Sequence, residues 1–188
     1  MGRDLLKLGD GELFSLMSSD EKHSEEAFAE LYTRYSPRVF AYCRRFMNTR
    51  EEAEDVFQEI MVRFYQSRKQ ERDMTNIPAF ILKIAHNICV NVKRRAKHYV
   101  SLEDFMTVQN DNRTDKDELL NLIKMALDLL SAEYREIFVL REYDGLSYAD
   151  ISDVIGIPIT TVKIRLFRAK ERVREILAPY LEEMSKTD

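Results

Sequence analysis

Between Lys163 and Arg174 the chain places Lys163, Arg165, Arg168, Lys170, Arg172 and Arg174, with Glu171 the only acid among them, although its formal net charge is -4. Bases at that density suit the binding of phosphate, and arginine adds bidentate contact with guanine edges. A second cluster, Lys83, Lys93, Arg94, Arg95 and Lys97, meets no acid between Lys83 and His98. Other reactive side chains do not assemble into sites. Asp55 and Glu59 share a spacing that acid/base or di-metal chemistry could use, but no Glu-x-x-His accompanies them, so they read as a solvated or partner-docking face. Cys43 and Cys89 lack a Cys-x-x-Cys partner or a histidine at ligand spacing and read as buried core thiols. His86 and His98 are expected to be ordinary surface or packing histidines. We therefore expect no catalytic residue, no cofactor and no metal site.

The elements that must position these bases are helical. The chain has 188 residues, 45% hydrophobic and 33% charged, with only five glycines, four prolines and no tryptophan. Long stretches use Ala, Leu, Glu, Lys and Arg, which lose least on entering a helix. An all-α fold follows. No apolar run approaches the roughly 18 residues that spanning a bilayer requires, and Met1 to Asp20 lacks the basic-then-apolar order of a signal peptide, so membrane insertion is not expected and the cytoplasm is. From Asp10 to Glu30 seven acids face the single base Lys22. The stretch "SLEDFMTVQNDNRTDKDE" is polar, turn-rich and acidic, and reads as a flexible linker. The organisation expected is a helical domain over 1–96, a linker over 97–116 and a second helical domain over 117–188.

In the first domain, Ser24 is placed to cap a helix with apolar residues at Ala27, Leu31, Tyr35, Val39 and Tyr42, bent at Pro37. Thr49 and Glu52 have the spacing of a capping box before a helix that buries Ala53, Val56, Phe57, Ile60 and Phe64, leaving Glu54, Asp55, Gln58, Glu59 and Arg63 outside. After the loop "KQERDMTNIP", a third helix is apolar at Phe80, Ile81, Ile84, Ile88 and Val92. Its terminal bases complement the helix dipole, but four in five residues exceed that need and point to nucleic acid.

In the second domain, helices are expected to about Leu129, over about Ala132 to Tyr143, over Ser147 to Ile155 and from about Ile159. Ser147 caps the third of these, and Gly156-Ile157-Pro158 separates it from the last, which is the sequence form of helix-turn-helix. On the last helix Val162, Leu166, Ala169, Val173 and Leu177 make one stripe. Thr161, Arg165, Arg168 and Arg172 form one flank, Lys163, Lys170 and Arg174 the other, and Ile164 lies opposite the core. A buried seam between basic flanks fits a major groove. The competing reading, a basic helix folded against the protein's own acids, accounts for the charge but not for the turn and the apolar spacing.

Four phrases, "AFAELYTRYSPRVFAYCRRF", "AEDVFQEIMVRFY", "AFILKIAHNICVNVKRR" and "REIFVLREYDGLSYADISDVIGIPITTVKIRLFRAKERV", resemble in order and spacing an extracytoplasmic-function sigma factor of the sigma-70 family, built of sigma regions 2 and 4. The chain departs from the usual pattern at Leu130-Ser131, where the family has Leu-Pro, at Phe80 for Trp, near Asp150, where the family has a Glu, and at Pro158 to Thr161 for a Ser-x-x-Thr cap.

The resemblance implies an alternative sigma factor that binds core RNA polymerase and promoter DNA, both duplex and melted strand, with an anti-sigma factor as a candidate further partner. It implies polymerase docking through Asp55, Gln58, Glu59 and Arg63. The downstream promoter element would meet Asn76 in the loop and Lys83, Ile84, Asn87, Lys93, Arg94 and Arg95 on the third helix, with Asn87 and Ile84 lining a pocket for an extruded base. The upstream element would meet Thr161, Lys163, Ile164, Arg165, Phe167, Arg168 and Arg172. A free-standing helix-turn-helix regulator is the alternative; it leaves the polar docking face and the second basic cluster without a purpose.

Overall fold

The computed structural model describes residues 5–19, 21–69, 74, 76–99 and 115–184, all helices, turns and short connections. Among them no helix is long and apolar enough to cross a membrane. The chain divides into two compact units, Met1–Met106 and Thr107–Asp188. Most of the acidic linker lies outside the described residues, and its expected ends belong to helices, one running to Tyr99 and one starting at Asp115.

The first unit contains α1 (Asp10–Ser19), α2 (Glu21–Phe46), α3 (Arg50–Ser67) and α4 (Ile77–Tyr99), preceded by a 3-10 turn at Leu5–Lys7. The sequence reading has no counterpart for α1, whose acidic start hides an apolar face of Leu13, Phe14, Leu16 and Met17, all buried. That face meets Phe64 and Phe80, with ring centroids 5.8 and 6.2 Å from Phe14. Ser24 is not an N-cap. Helix α2 already begins at Glu21, and the buried Ser24 hydroxyl donates to the Met17 carbonyl at 2.9 Å, tying the end of α1 to α2. The early start follows from the close succession of the two helices, which leaves no room for an extended cap residue at position 24. Pro37 lies inside α2, which continues on both sides of it. Thr49 and Glu52 form the expected capping box on α3. Cys43 and Cys89 are fully buried free thiols, and His86 is a packing histidine that pairs with the Tyr42 hydroxyl at 3.2 Å.

A polar clamp holds the N-terminal segment to α2. The Arg34 guanidinium donates to Asp10 at 2.9 Å, Glu30 at 2.8 Å and the Leu8 carbonyl at 3.0 Å, while the Tyr35 hydroxyl donates to the other Asp10 oxygen. Burial, and then the bond to Asp10, pushes the Tyr35 hydroxyl well above its ordinary pKa.

The second unit contains α5 (Asp115–Asp128), α6 (Ala132–Glu142), α7 (Tyr148–Ile155) and α8 (Ile159–Met184). Helices α5, α6 and α7 all pack on α8. Ala126, Leu127 and Leu130 meet Ala169 and Val173 in a core that Tyr134, Phe138 and Leu177 extend. At the Leu130-Ser131 corner the Ser131 side chain makes no cap bond. Arg135 instead reaches back to the Leu127, Asp128 and Leu130 carbonyls at 2.7, 2.6 and 3.2 Å, satisfying the last acceptors of α5.

Candidate nucleic-acid interface

Local chemistry sets the entry angle of α8. Ser147 and Asp150 form a reciprocal capping box that starts α7. Gly156 ends it with φ of 76°, a left-handed conformation that costs an L side chain about 1–2 kcal/mol. The Ser152 hydroxyl closes the turn by donating to the Ile157 carbonyl at 2.6 Å. Pro158 then starts α8 with no N–H to leave unpaired, and its carbonyl accepts from Thr161 and Val162. The structure buries the seam as expected, with Val162, Leu166, Ala169 and Val173 inside and Leu177 half-buried.

The six bases of α8 are not equivalent. Arg165 is bridged to Glu133 on α6 at 2.7 Å and Lys170 to Glu142 at 2.7 Å. Arg172 pairs with Glu175 at 3.0 Å, and Arg174 with Glu171. The reading of a basic helix folded against the protein's own acids thus holds for Arg165 and Lys170, while Arg172 and Arg174 pair with acids of α8 itself. Among the described residues Lys163 and Arg168 have no acid partner. Lys163 sits 5.8 Å from the Tyr148 ring centroid, and the Arg141 guanidinium lies 4.8 Å from the same centroid. The outward stripe of α8 carries Thr160, Ile164, Phe167 and Arg168, then Glu171 and Glu175 one and two turns on. Those carboxylates oppose phosphate, so the groove-compatible surface is confined to the first turns, where recognition helices meet base edges. Phe167, Arg168 and Arg172 line an open groove of about 470 Å³ with Leu130, Ser131 and Tyr134.

In the first unit α4 presents Lys83, Asn87 and Arg94 along one exposed face, with Asn91 between them and Ile84 half-buried at its edge. The Asn87 side chain makes no hydrogen bond to any described residue, so both halves of its amide are available. Lys93 stands on the neighbouring flank, 5.6 Å from the Phe46 ring centroid, and Arg95 is exposed near the other edge. Asn76 is committed differently: its side-chain oxygen accepts from the Ala79 amide at 3.2 Å and caps α4. Of the loop, residues 70–73 and 75 lie outside the described residues.

On α3, Asp55, Gln58, Glu59 and Arg63 are exposed on one face as expected. Arg63 donates to Glu59 at 2.7 Å, a surface i,i+4 pair worth a few tenths of a kcal/mol, about 0.3–0.5. Val62, 54% exposed, lies among them and was absent from the expected set. Its signal was in the sequence, as the apolar residue off the buried stripe. Also missed were Tyr65 and Arg68 at the end of α3, where the guanidinium stacks 3.6 Å from the ring centroid.

Residues 31–99 match the family model "Sigma-70 region 2", and residues 120–173 match "Sigma-70, region 4". The chain is similar to the RNA polymerase sigma-H factor of Pseudomonas aeruginosa, 27% identical over 183 residues, covering 89% of this chain and 95% of that protein. It is also similar to the ECF RNA polymerase sigma factor SigW of Bacillus subtilis, 27% identical over 172 residues, covering 84% and 92%. Among solved structures it resembles the sigma factor RpoE in complex with the anti-sigma factor NepR from Bartonella quintana. That likeness has a TM-score of 0.65, 25% identity and coverage of 80% of this chain and 96% of that one.

Proposed function

The chain belongs to the sigma-70 family and is an extracytoplasmic-function sigma factor that directs transcription initiation with core RNA polymerase at promoter DNA, and from that premise we propose how its residues divide the work. On α3, Asp55, Gln58, Glu59 and Arg63 dock the polymerase. On α4, Lys83 and Arg94 hold phosphates of the melted downstream element while Asn87, beside Ile84, receives an extruded base. Lys93 and Arg95 add charge at the edges of that track. Asn76 acts by fixing the start of α4. On α8, Lys163, Ile164, Phe167 and Arg168 enter the upstream major groove, with Thr161 and Arg165 along the phosphate walls, while Arg172, paired with Glu175 beyond those turns, stays outside the contact. The protein contributes promoter recognition and strand opening, and no catalytic step of its own. It works in the cytoplasm, and an anti-sigma factor is a further partner in keeping with the NepR-bound relative.

The observation that carries this reading is the selective pairing on α8. Four of its bases are neutralised by acids, while Lys163 and Arg168 stay available beside the outward Ile164 and Phe167. A generic basic surface would not sort its charges by position. Transcription from genomic promoter fragments with purified core polymerase is the test. The protein should convert core enzyme to promoter-specific initiation, and Asp55→Lys combined with Glu59→Lys should abolish co-elution with core while leaving the helical content intact. Tight, specific promoter binding by the free protein with no effect on core polymerase would establish the free-standing regulator instead.

A further inference from the structure

Helices α2 and α4 pack on each other and bury apolar side chains such as Val39, Cys43, Ala85 and Ile88. His86 is the exception. Among the described residues, tyrosines aside, only Ser24 and His86 are both polar and buried. The His86 Nδ1 lies 3.2 Å from the Tyr42 hydroxyl, itself on a buried side chain. Apolar burial is non-directional, whereas a hydrogen bond weakens steeply as its angle closes, so this contact favours one rotation and register of α4 on α2. Stability alone does not require it, since replacing both partners of a buried hydrogen bond by apolar groups of the same shape is nearly neutral. What an apolar pair lacks is direction.

A second tie lies two turns on. The Phe46 ring stacks on Tyr42 with centroids 4.9 Å apart, and the Lys93 ammonium lies 5.6 Å from the Phe46 centroid. Lys93 follows His86 by seven positions, a spacing that returns to within about 20° of the same helix face. One face of α2, carrying Tyr42 and Phe46, thus holds α4 at two points. Asn87 follows His86 directly and stands about 100° further round the helix, so whatever fixes the direction of His86 fixes that of Asn87. On the reading of α4 as the helix that receives the extruded base, we propose that Tyr42 and His86 are positioning residues for strand opening. Their bond aims the Asn87 amide at the base without touching DNA, and the contact of Phe46 with Lys93 secures the basic end of the helix.

The experiment uses holoenzyme assembled from the full chain, with duplex binding reporting the closed complex and permanganate reactivity of unpaired thymines reporting the open one. Tyr42→Phe removes only the hydroxyl and keeps the ring that stacks on Phe46. It should leave the closed complex unchanged and lower the open complex about two- to fivefold, the upper figure being the equivalent of roughly 1 kcal/mol for one hydrogen bond. His86→Leu should do the same, and His86→Asn, whose amide reaches the Nδ1 position, should recover most of the loss. Because the pair acts through Asn87, Tyr42→Phe should cost nothing further in an Asn87→Ala background, a non-additivity that a general loss of stability would not produce. Wild-type opening by Tyr42→Phe, or an equal loss in both backgrounds, would overturn the positioning role while leaving Asn87 in its pocket. Normal opening by Asn87→Ala would instead overturn the reading of α4 itself, and the proposal with it.

Discussion

Arg165 and Arg168 lie three residues apart and would be interchangeable by charge alone, yet the structure predicts opposite responses to substitution. Among the described residues Arg168 has no ion-pair partner, so Arg168→Ala removes only what the side chain does on DNA. The expected loss at a cognate upstream element is about 1–3 kcal/mol, or roughly 5- to 150-fold, concentrated at one or two base pairs. Arg165 must first leave Glu133, and a partly exposed pair with side chains 27% and 64% accessible is worth about 0.2–1 kcal/mol. That release offsets most of the gain from a phosphate. Arg165→Ala should therefore cost less than about 1 kcal/mol, evenly across sequences. Glu133→Gln should strengthen binding to every duplex, and its salt slope should steepen by about 0.9 as Arg165 reaches its phosphate without giving up an internal ion pair. The assay is holoenzyme binding to cognate and single-base-variant upstream duplexes across a salt series. An unchanged slope in Glu133→Gln together with an Arg165→Ala loss as sequence-selective as that of Arg168→Ala would refute the division of roles.

Asn87→Ala in holoenzyme should leave closed complexes nearly intact but reduce open complexes about tenfold, since an extruded base must recover an unstacking cost of a few kcal/mol. Permanganate reactivity of unpaired thymines reads this, and unchanged reactivity would remove Asn87 from the pocket. Gly156→Ala should destabilise the second unit by about 1–2 kcal/mol, or roughly 4–16 °C in its thermal transition. An added Cβ there meets no atom within 4 Å, so the cost is confined to backbone conformation and Gly156→Asn should recover part of it. The raised Tyr35 pKa stabilises the fold fully below pH of about 10, the ordinary tyrosine value, and that contribution fades as pH rises past it. Tyr35→Phe should delete a late-titrating phenol from the absorbance titration, and its stability deficit relative to wild type should shrink above that pH. An unchanged alkaline limb would refute the raised Tyr35 pKa.

What was legible in the sequence is what neighbouring residues decide. Thr49 with Glu52, Ser147 with Asp150, and Gly156 before Pro158 act across three or four positions, and a short window of residues contains both partners of each bond. The seam of α8 was legible for the same reason, because a repeat near 3.6 residues fixes which side chains share a face. The exposed faces of α3 and α4 follow as the complements of their buried stripes. The pairing of distant groups was not legible. Nothing near Ser24 indicates that its hydroxyl meets Met17 across a helix junction, and nothing near Asp10 indicates Arg34 and Tyr35. The same holds for the basic run on α8, whose side chains look alike in sequence. Glu133 and Glu142 select Arg165 and Lys170 because α6 packs against α8 at a particular depth and angle, and helical periodicity carries no information about either. The sequence alone determined that α8 is basic and placed Glu171 and Glu175 one turn from Arg174 and Arg172; only the packing of α6 decided that Arg165 and Lys170 are engaged as well.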